Sequence, residues 1–181
     1  DPAGTAIGSG KKPGGGVASG AIYAKFDLDP IPSFPEGESR FNTILNKGKK
    51  VLHTYAYHLY GNPLNEADRN NTINKLQKSY YNAIVCFNTN KKKLEPEDQD
   101  IFNLVPVSAS IFAESFKKKY DGLDAHLSPS YTFIGIIYAM NQILNNKGNI
   151  PELNIFYFSS HVKSDADIIL NKIKQDLIRL N

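Results

Sequence analysis

A chain of 181 residues with 41% hydrophobic and 22% charged side chains has enough apolar material for one ordinary core, which excludes a disordered polymer. A formal net charge of +3 is too small to argue for a nucleic-acid binder, and the single cysteine, Cys86, excludes an intramolecular disulfide. No Cys/His cluster has the spacing of a zinc site, so no metal is expected, and no run is long and apolar enough to cross a bilayer.

Residues 1–13 are rich in Gly, Ala and Lys and read as an irregular loop. Gly14, Gly15 and Gly16 then give a stretch without Cβ atoms and with free access to positive φ. Directly after them Val17, Ala21, Ile22 and Phe26 recur at helix-compatible steps. A glycine loop feeding a helix start suits an anion, because unpaired N–H groups and the helix dipole point at one spot. Pro30, Pro32 and Pro35 exclude helix over residues 27–37 and indicate an extended connection. Residues 40–45 and 51–57 are β-prone runs about the turn Asn46-Lys47-Gly48, which predicts a hairpin.

Residues 64–90 carry a helical pattern. Asn65 is the expected N-cap, Glu66 and Asp68 occupy the first turn, and Ile73, Leu76, Tyr80, Ala83, Ile84 and Phe87 make one apolar face. A charged connection broken by Pro96 leads to residues 101–107, a nearly all-apolar run of the kind found in buried strands. That run empties into Ser108-Ala109-Ser110-Ile111-Phe112-Ala113. Residues 117–130 are polar. Residues 133–144 form an apolar helix begun by Ser128 or Ser130 and ended by Asn145-Asn146-Lys147-Gly148. Residues 153–158 are a second buried-type strand, and Ser164 caps a last helix whose inner face is Ile169, Ile173, Leu177 and Leu180.

Helices and strands alternate after the hairpin without repeats or an internal linker. The pattern predicts a single α/β domain over residues 1–181, with a mixed sheet covered by helices on both faces. Ligands of open α/β sheets bind beyond the carboxyl ends of strands, so residues 108–113 are the natural partner of the glycine loop.

In this order the motifs resemble a macrodomain, the ADP-ribose-binding module, over nearly the whole chain. Gly14-Gly15-Gly16-Val17 followed by Gly20-Ala21-Ile22 is similar to the family's first binding loop. Gly37-Glu38 and Lys50-Val51-Leu52-His53-Thr54 resemble its paired strands, and Ser79-Tyr80-Tyr81-Asn82-Ala83 resembles its "Y-x-N-A" helix. Residues 105–112 resemble the second loop, and Phe156-Tyr157-Phe158 the final strand. The resemblance implies a three-layer α/β/α sandwich. It implies a ligand, ADP-ribose or an ADP-ribosyl group, held between Gly14, Gly15, Gly16 and Val17 on one side and Ser108, Ala109, Ser110, Ile111 and Phe112 on the other. Phe112 would pack on the distal ribose and Phe158 near the adenine, with plain core packing as the alternative for both. No cofactor is implied beyond this ligand. The implied partner is ADP-ribose or an ADP-ribosylated protein, bound by a monomer without membrane or nucleic acid.

The departures bear on chemistry. The two strands that the family carries before the glycine loop have no counterpart here. The expectation is therefore either a truncated or processed piece or a replacement by other segments. The family's "N-A-A-N" is matched only by Asp1-Pro2-Ala3-Gly4, and one residue is inserted between Val17 and Gly20, so that Ala18 or Ser19 falls where some hydrolytic members carry aspartate. Ser110 and Ala113 stand where the second loop ordinarily has glycine. Hydrolysis of an ADP-ribosyl bond needs an oriented ribose and a positioned water. The candidates for that work are Asp1, Ser19, Glu114 and His126, with Asp121 and Asp124 nearby in sequence; solvated loop charges are the plainer reading. His53 matches the family's buried histidine and is expected to be structural. The competing readings are a hydrolase of ADP-ribosylated protein, a non-catalytic reader and, further off, a single-stranded RNA binder. A P-loop hydrolase is rejected, because Thr5 and Lys12 stand where its pattern requires glycine and Ser or Thr. A single cysteine suits a reducing, cytoplasmic-type compartment, and the Asn-, Lys- and Ile-rich composition adds a secreted effector in a host cytosol as a further expectation.

Overall fold

In the computed structural model the described residues are 17–26, 34–43, 50–57, 59, 65–107 and 127–155. Their elements run α1 (Val17–Phe26), β1 (Ser39–Thr43), β2 (Lys50–Thr54), α2 (Glu66–Asn90), β3 (Ile101–Leu104), α3 (Leu127–Asn145) and β4 (Glu152–Ile155). Two short 3₁₀ turns, Lys91–Lys93 and Pro96–Asp98, fill the charged connection between α2 and β3. The last helix, expected from Ser164 onward, lies outside the described residues.

The long helix α2 is the platform. Asn65 caps it as its sequence predicts: its Oδ1 accepts from the backbone N–H of Ala67 (2.9 Å) and of Asp68 (3.2 Å). Thr72, Leu76, Ser79, Tyr80, Ala83, Ile84 and Phe87 are its buried residues, a stripe at helical spacing. Against that stripe lie Ile136, Ala139 and Ile143 of α3, Leu52 and Ala56 of the hairpin, and Phe102 and Leu104 of β3, in one apolar cluster. Phe87 and Phe102 stack with centroids 4.9 Å apart and planes 15° apart, which joins α2 to β3. At Gly135 the two long helices approach so closely that only a residue without Cβ fits over Leu76.

Successive residues of β2 face opposite ways, as a strand requires. Leu52 enters the α2–α3 cluster, whereas Val51 packs on Ile22 and Phe26 of α1. Helices therefore cover both faces of β2, as the α/β reading expects. β1 and β2 pair antiparallel from Ser39↔Thr54 to Thr43↔Lys50, and β3 and β4 pair parallel from Ile101↔Glu152 to Leu104↔Ile155. Both strand senses are present, but among the described residues they form two two-stranded sheets rather than one continuous sheet. Residues of both strand pairs pack with α2 in one apolar cluster.

Element ends shift for local reasons. β2 leaves the regular ladder after Thr54, where Tyr55 bonds to both Glu38 O and Gly37 N across the turn at Pro35–Glu38. Gly37 has φ +78°, and the Tyr57 ring lies within 2.6 Å of where its Cβ would be, so both conformation and space call for glycine. Asn82 Nδ2 donates to Gly37 O (2.7 Å), tying that turn to α2. β3 stops at Leu104, two residues before Pro106, which has no N–H for a ladder. α3 starts at Leu127, so Ser128 and Ser130 lie in its first turn rather than at a cap, and Pro129 is tolerated there because first-turn N–H groups have no helical partner. Its C-terminus is closed by Gly148 N donating to Ile143 O (2.8 Å), with Lys147 rather than Gly148 in the left-handed conformation at φ 56°. No described helix is long and apolar enough to cross a membrane.

Candidate functional site

The two loops singled out by sequence are reached from the elements that carry them. α1 begins at Val17, the residue after Gly14-Gly15-Gly16, so the glycine run leads straight into a helix N-terminus. β3 ends at Leu104, and Val105-Pro106-Val107 lead to Ser108. α1 and β3 line one cleft of about 650 Å³, with Ile22 and Phe26 of α1, Val51 of β2, Phe87 of α2, and Phe102 and Leu104 of β3 among its apolar walls. The cleft meets α1 along its C-terminal half, at Ile22, Lys25 and Phe26, rather than at the Val17 end that follows the glycine run. Its rim mixes Lys25 and Lys50 with Glu95 and Asp98 and so favours neither sign of charge.

The exit from β3 is held from below. Val107 N–H donates to the hydroxyl of Tyr80 at 2.8 Å, and this bond is buried. A buried backbone N–H needs such a partner. The sequence places Tyr80 on the apolar stripe of α2 without a polar task. A hydroxyl on an otherwise apolar stripe is the signal that would have found it.

Of the expected site residues, Val17 is the first residue of α1 and Ser19 lies in the same helix. Gly14, Gly15, Gly16, Ser108, Ala109, Ser110, Ile111, Phe112 and Phe158 lie outside the described residues, as do Asp1, Glu114 and His126. Ser19 is thus the one catalytic candidate among the described residues.

Two titratable side chains are reshaped by burial. His53 is fully buried at the heart of β2, and its pKa is lowered to about 3, chiefly by loss of hydration. It is neutral at physiological pH, in keeping with a structural residue. The Cys86 thiol is pushed up by burial, against smaller opposing effects of a hydrogen bond from Asn90 and the charge of Lys93, so it is a poor nucleophile. Among the described residues no group of three or more His, Cys, Asp or Glu can hold a metal ion.

No protein-family model matches the sequence, and no curated protein matches it. Solved structures do match. The Oceanobacillus iheyensis macrodomain, as a glycine-to-valine mutant with ADPR, superposes with a TM-score of 0.61 at 14% identity, covering 97% of this chain and 84% of that one. The fold is that of a macrodomain. The same Oceanobacillus iheyensis macrodomain with MES bound gives a TM-score of 0.59 at 16% identity over 97% of this chain and 86% of its own. Its asparagine-to-alanine mutant gives 0.55 at 15% identity, over 98% and 83%. A macrodomain fold accounts for the alternation of helices and strands and for α1 and α2 on opposite sides of β2.

Proposed function

We propose that this chain binds ADP-ribose, free or attached to protein, between the glycine loop that precedes α1 and the small-residue loop that follows Val107. The carrying observation is the conjunction of a macrodomain fold with those two loops in the macrodomain order. One of the similar structures is described as holding ADPR, which supports the ligand class. The chemistry is consistent. A diphosphate presents two negative charges in a small volume and is best met by many N–H donors at once. Gly14, Gly15 and Gly16 allow the backbone to come close on one side, and Ser108, Ala109 and Ser110 allow it on the other. The helix start at Val17 adds its dipole to the same charge.

The test is a thermal-shift panel of ADP-ribose, NAD, ATP and AMP. At a hundred times its dissociation constant, a ligand of the folded state adds about 2.7 kcal/mol of stability. ADP-ribose is expected to give the largest shift. A panel in which ADP-ribose leaves the melting temperature of the folded chain unchanged overturns the reading.

A further inference from the structure

We propose that Tyr80 is a positioning residue for this site: its hydroxyl, fixed inside the core, sets the point from which the second loop departs. The inference rests on the binding reading above and concerns a contact that the reading does not require.

The geometry is specific. Tyr80 is 1% exposed and belongs to the most buried stretch of α2, between Leu76 and Ile84. Its oxygen accepts from Val107 N–H across 27 residues of sequence. Phenylalanine would fill the same space without the cost of burying an oxygen, so core packing alone does not call for the hydroxyl. What the hydroxyl adds is a tether. Pro106 has a fixed φ and no N–H, which makes Val107 the first residue after it whose N–H can be anchored. Ser108, Ala109 and Ser110, whose N–H groups are the proposed diphosphate donors, follow directly. Donors bind an anion tightly when they stand in place beforehand, because no ordering cost is then left for the ligand to meet. Tyr80 transfers the rigidity of α2 to the first residue of that approach.

The test compares Tyr80→Phe with Ile84→Val, a second buried change on the same helix. ADP-ribose affinity is measured by calorimetry well below the melting temperature of each variant, so that only folded molecules are compared. Both variants are expected to melt lower. Tyr80→Phe is expected to weaken ADP-ribose binding about five- to tenfold, the scale of one lost buried hydrogen bond, with Ile84→Val unchanged. In Tyr80→Phe the Val107 amide is also expected to lose hydrogen-exchange protection. Wild-type affinity in Tyr80→Phe overturns the inference and leaves the binding reading standing. Absence of binding by the wild-type chain overturns the binding reading first and this inference with it. Should Tyr80→Phe not fold, 3,5-difluorotyrosine at position 80, studied at a pH low enough to keep the acidified phenol protonated, keeps the shape and weakens the oxygen as an acceptor. Unchanged affinity in that protein overturns the inference equally.

Discussion

Gly135→Ala sets two known effects against each other. In an isolated helix alanine is better than glycine by about 1 kcal/mol, so α3 taken alone would gain. In the folded chain the new Cβ would lie 2.6 Å from Leu76 Cβ, 3.1 Å from the Leu76 carbonyl carbon and 3.2 Å from Gln77 N. Two of those three atoms are backbone of α2 and have no rotamer to retreat into, so relief requires α2 and α3 to move apart. Separation loosens contacts around Leu76 and Ala139, both 0% exposed, and around Ile136 and Ile143. Overpacking of a tight core costs about 1–3 kcal/mol, and with backbone atoms on the receiving side the upper part of that range, about 2–3 kcal/mol, is expected, which exceeds the propensity gain. The expected net is a destabilisation of about 1–2 kcal/mol, or a fall in melting temperature of about 2–8 °C for a chain of this size. Urea unfolding followed by circular dichroism measures it directly. A variant as stable as the parent, or more stable, would show that the two helices do not cross at this residue, and the packing of α3 on α2 would have to be redrawn.

Other outcomes follow from single residues. Lys147→Gly relieves a left-handed backbone at φ 56° and is expected to stabilise the chain by about 0.5–1 kcal/mol, read from the urea midpoint; a loss of stability would contradict the described end of α3. Asn65→Ala removes the acceptor of two N–H groups and should cost about 1 kcal/mol, with Asn65→Asp close to neutral. His53 titrates near its ordinary value of 6.5 when unfolded and near 3 when folded. Its neutral form therefore contributes fully above pH 6.5. As pH falls from 6.5 toward 3 only the unfolded chain takes up the proton, so stability declines with a slope of up to about 1.4 kcal/mol per pH unit from this group. Unfolding at pH 7, 6, 5 and 4 should show that decline, and His53→Gln should flatten it; equal slopes in the two proteins would contradict the assignment.

Local chemistry made much of the fold legible before any coordinates. Asn65 with Glu66 and Asp68 announced the start of α2, the triple glycine announced a helix beginning at Val17, and the apolar run after Asp100 announced β3. The hairpin was readable because its strands are β-prone on both sides of a turn sequence. Ends were harder to place. A glycine within reach of a helix end looks like the left-handed residue, yet the hydrogen bond from Gly148 to Ile143 puts Lys147 there instead. The division of the strands into two pairs was not visible, because burial on a shared helix and pairing in one ladder leave the same apolar signature along a strand. The tether from Tyr80 to Val107 was hidden for a related reason. Helical periodicity counts tyrosine as apolar and is silent on the oxygen at its tip.

The most direct measurement of the central claim is a calorimetric titration of the chain with ADP-ribose, with AMP and ribose 5-phosphate as the two halves of the ligand. The account predicts saturable one-to-one binding of ADP-ribose, tighter than either half, because the diphosphate that joins them is what the two loops are proposed to grip. Binding of AMP as tight as that of ADP-ribose would contradict it, and so would no heat of binding from a chain shown to be folded by its melting transition.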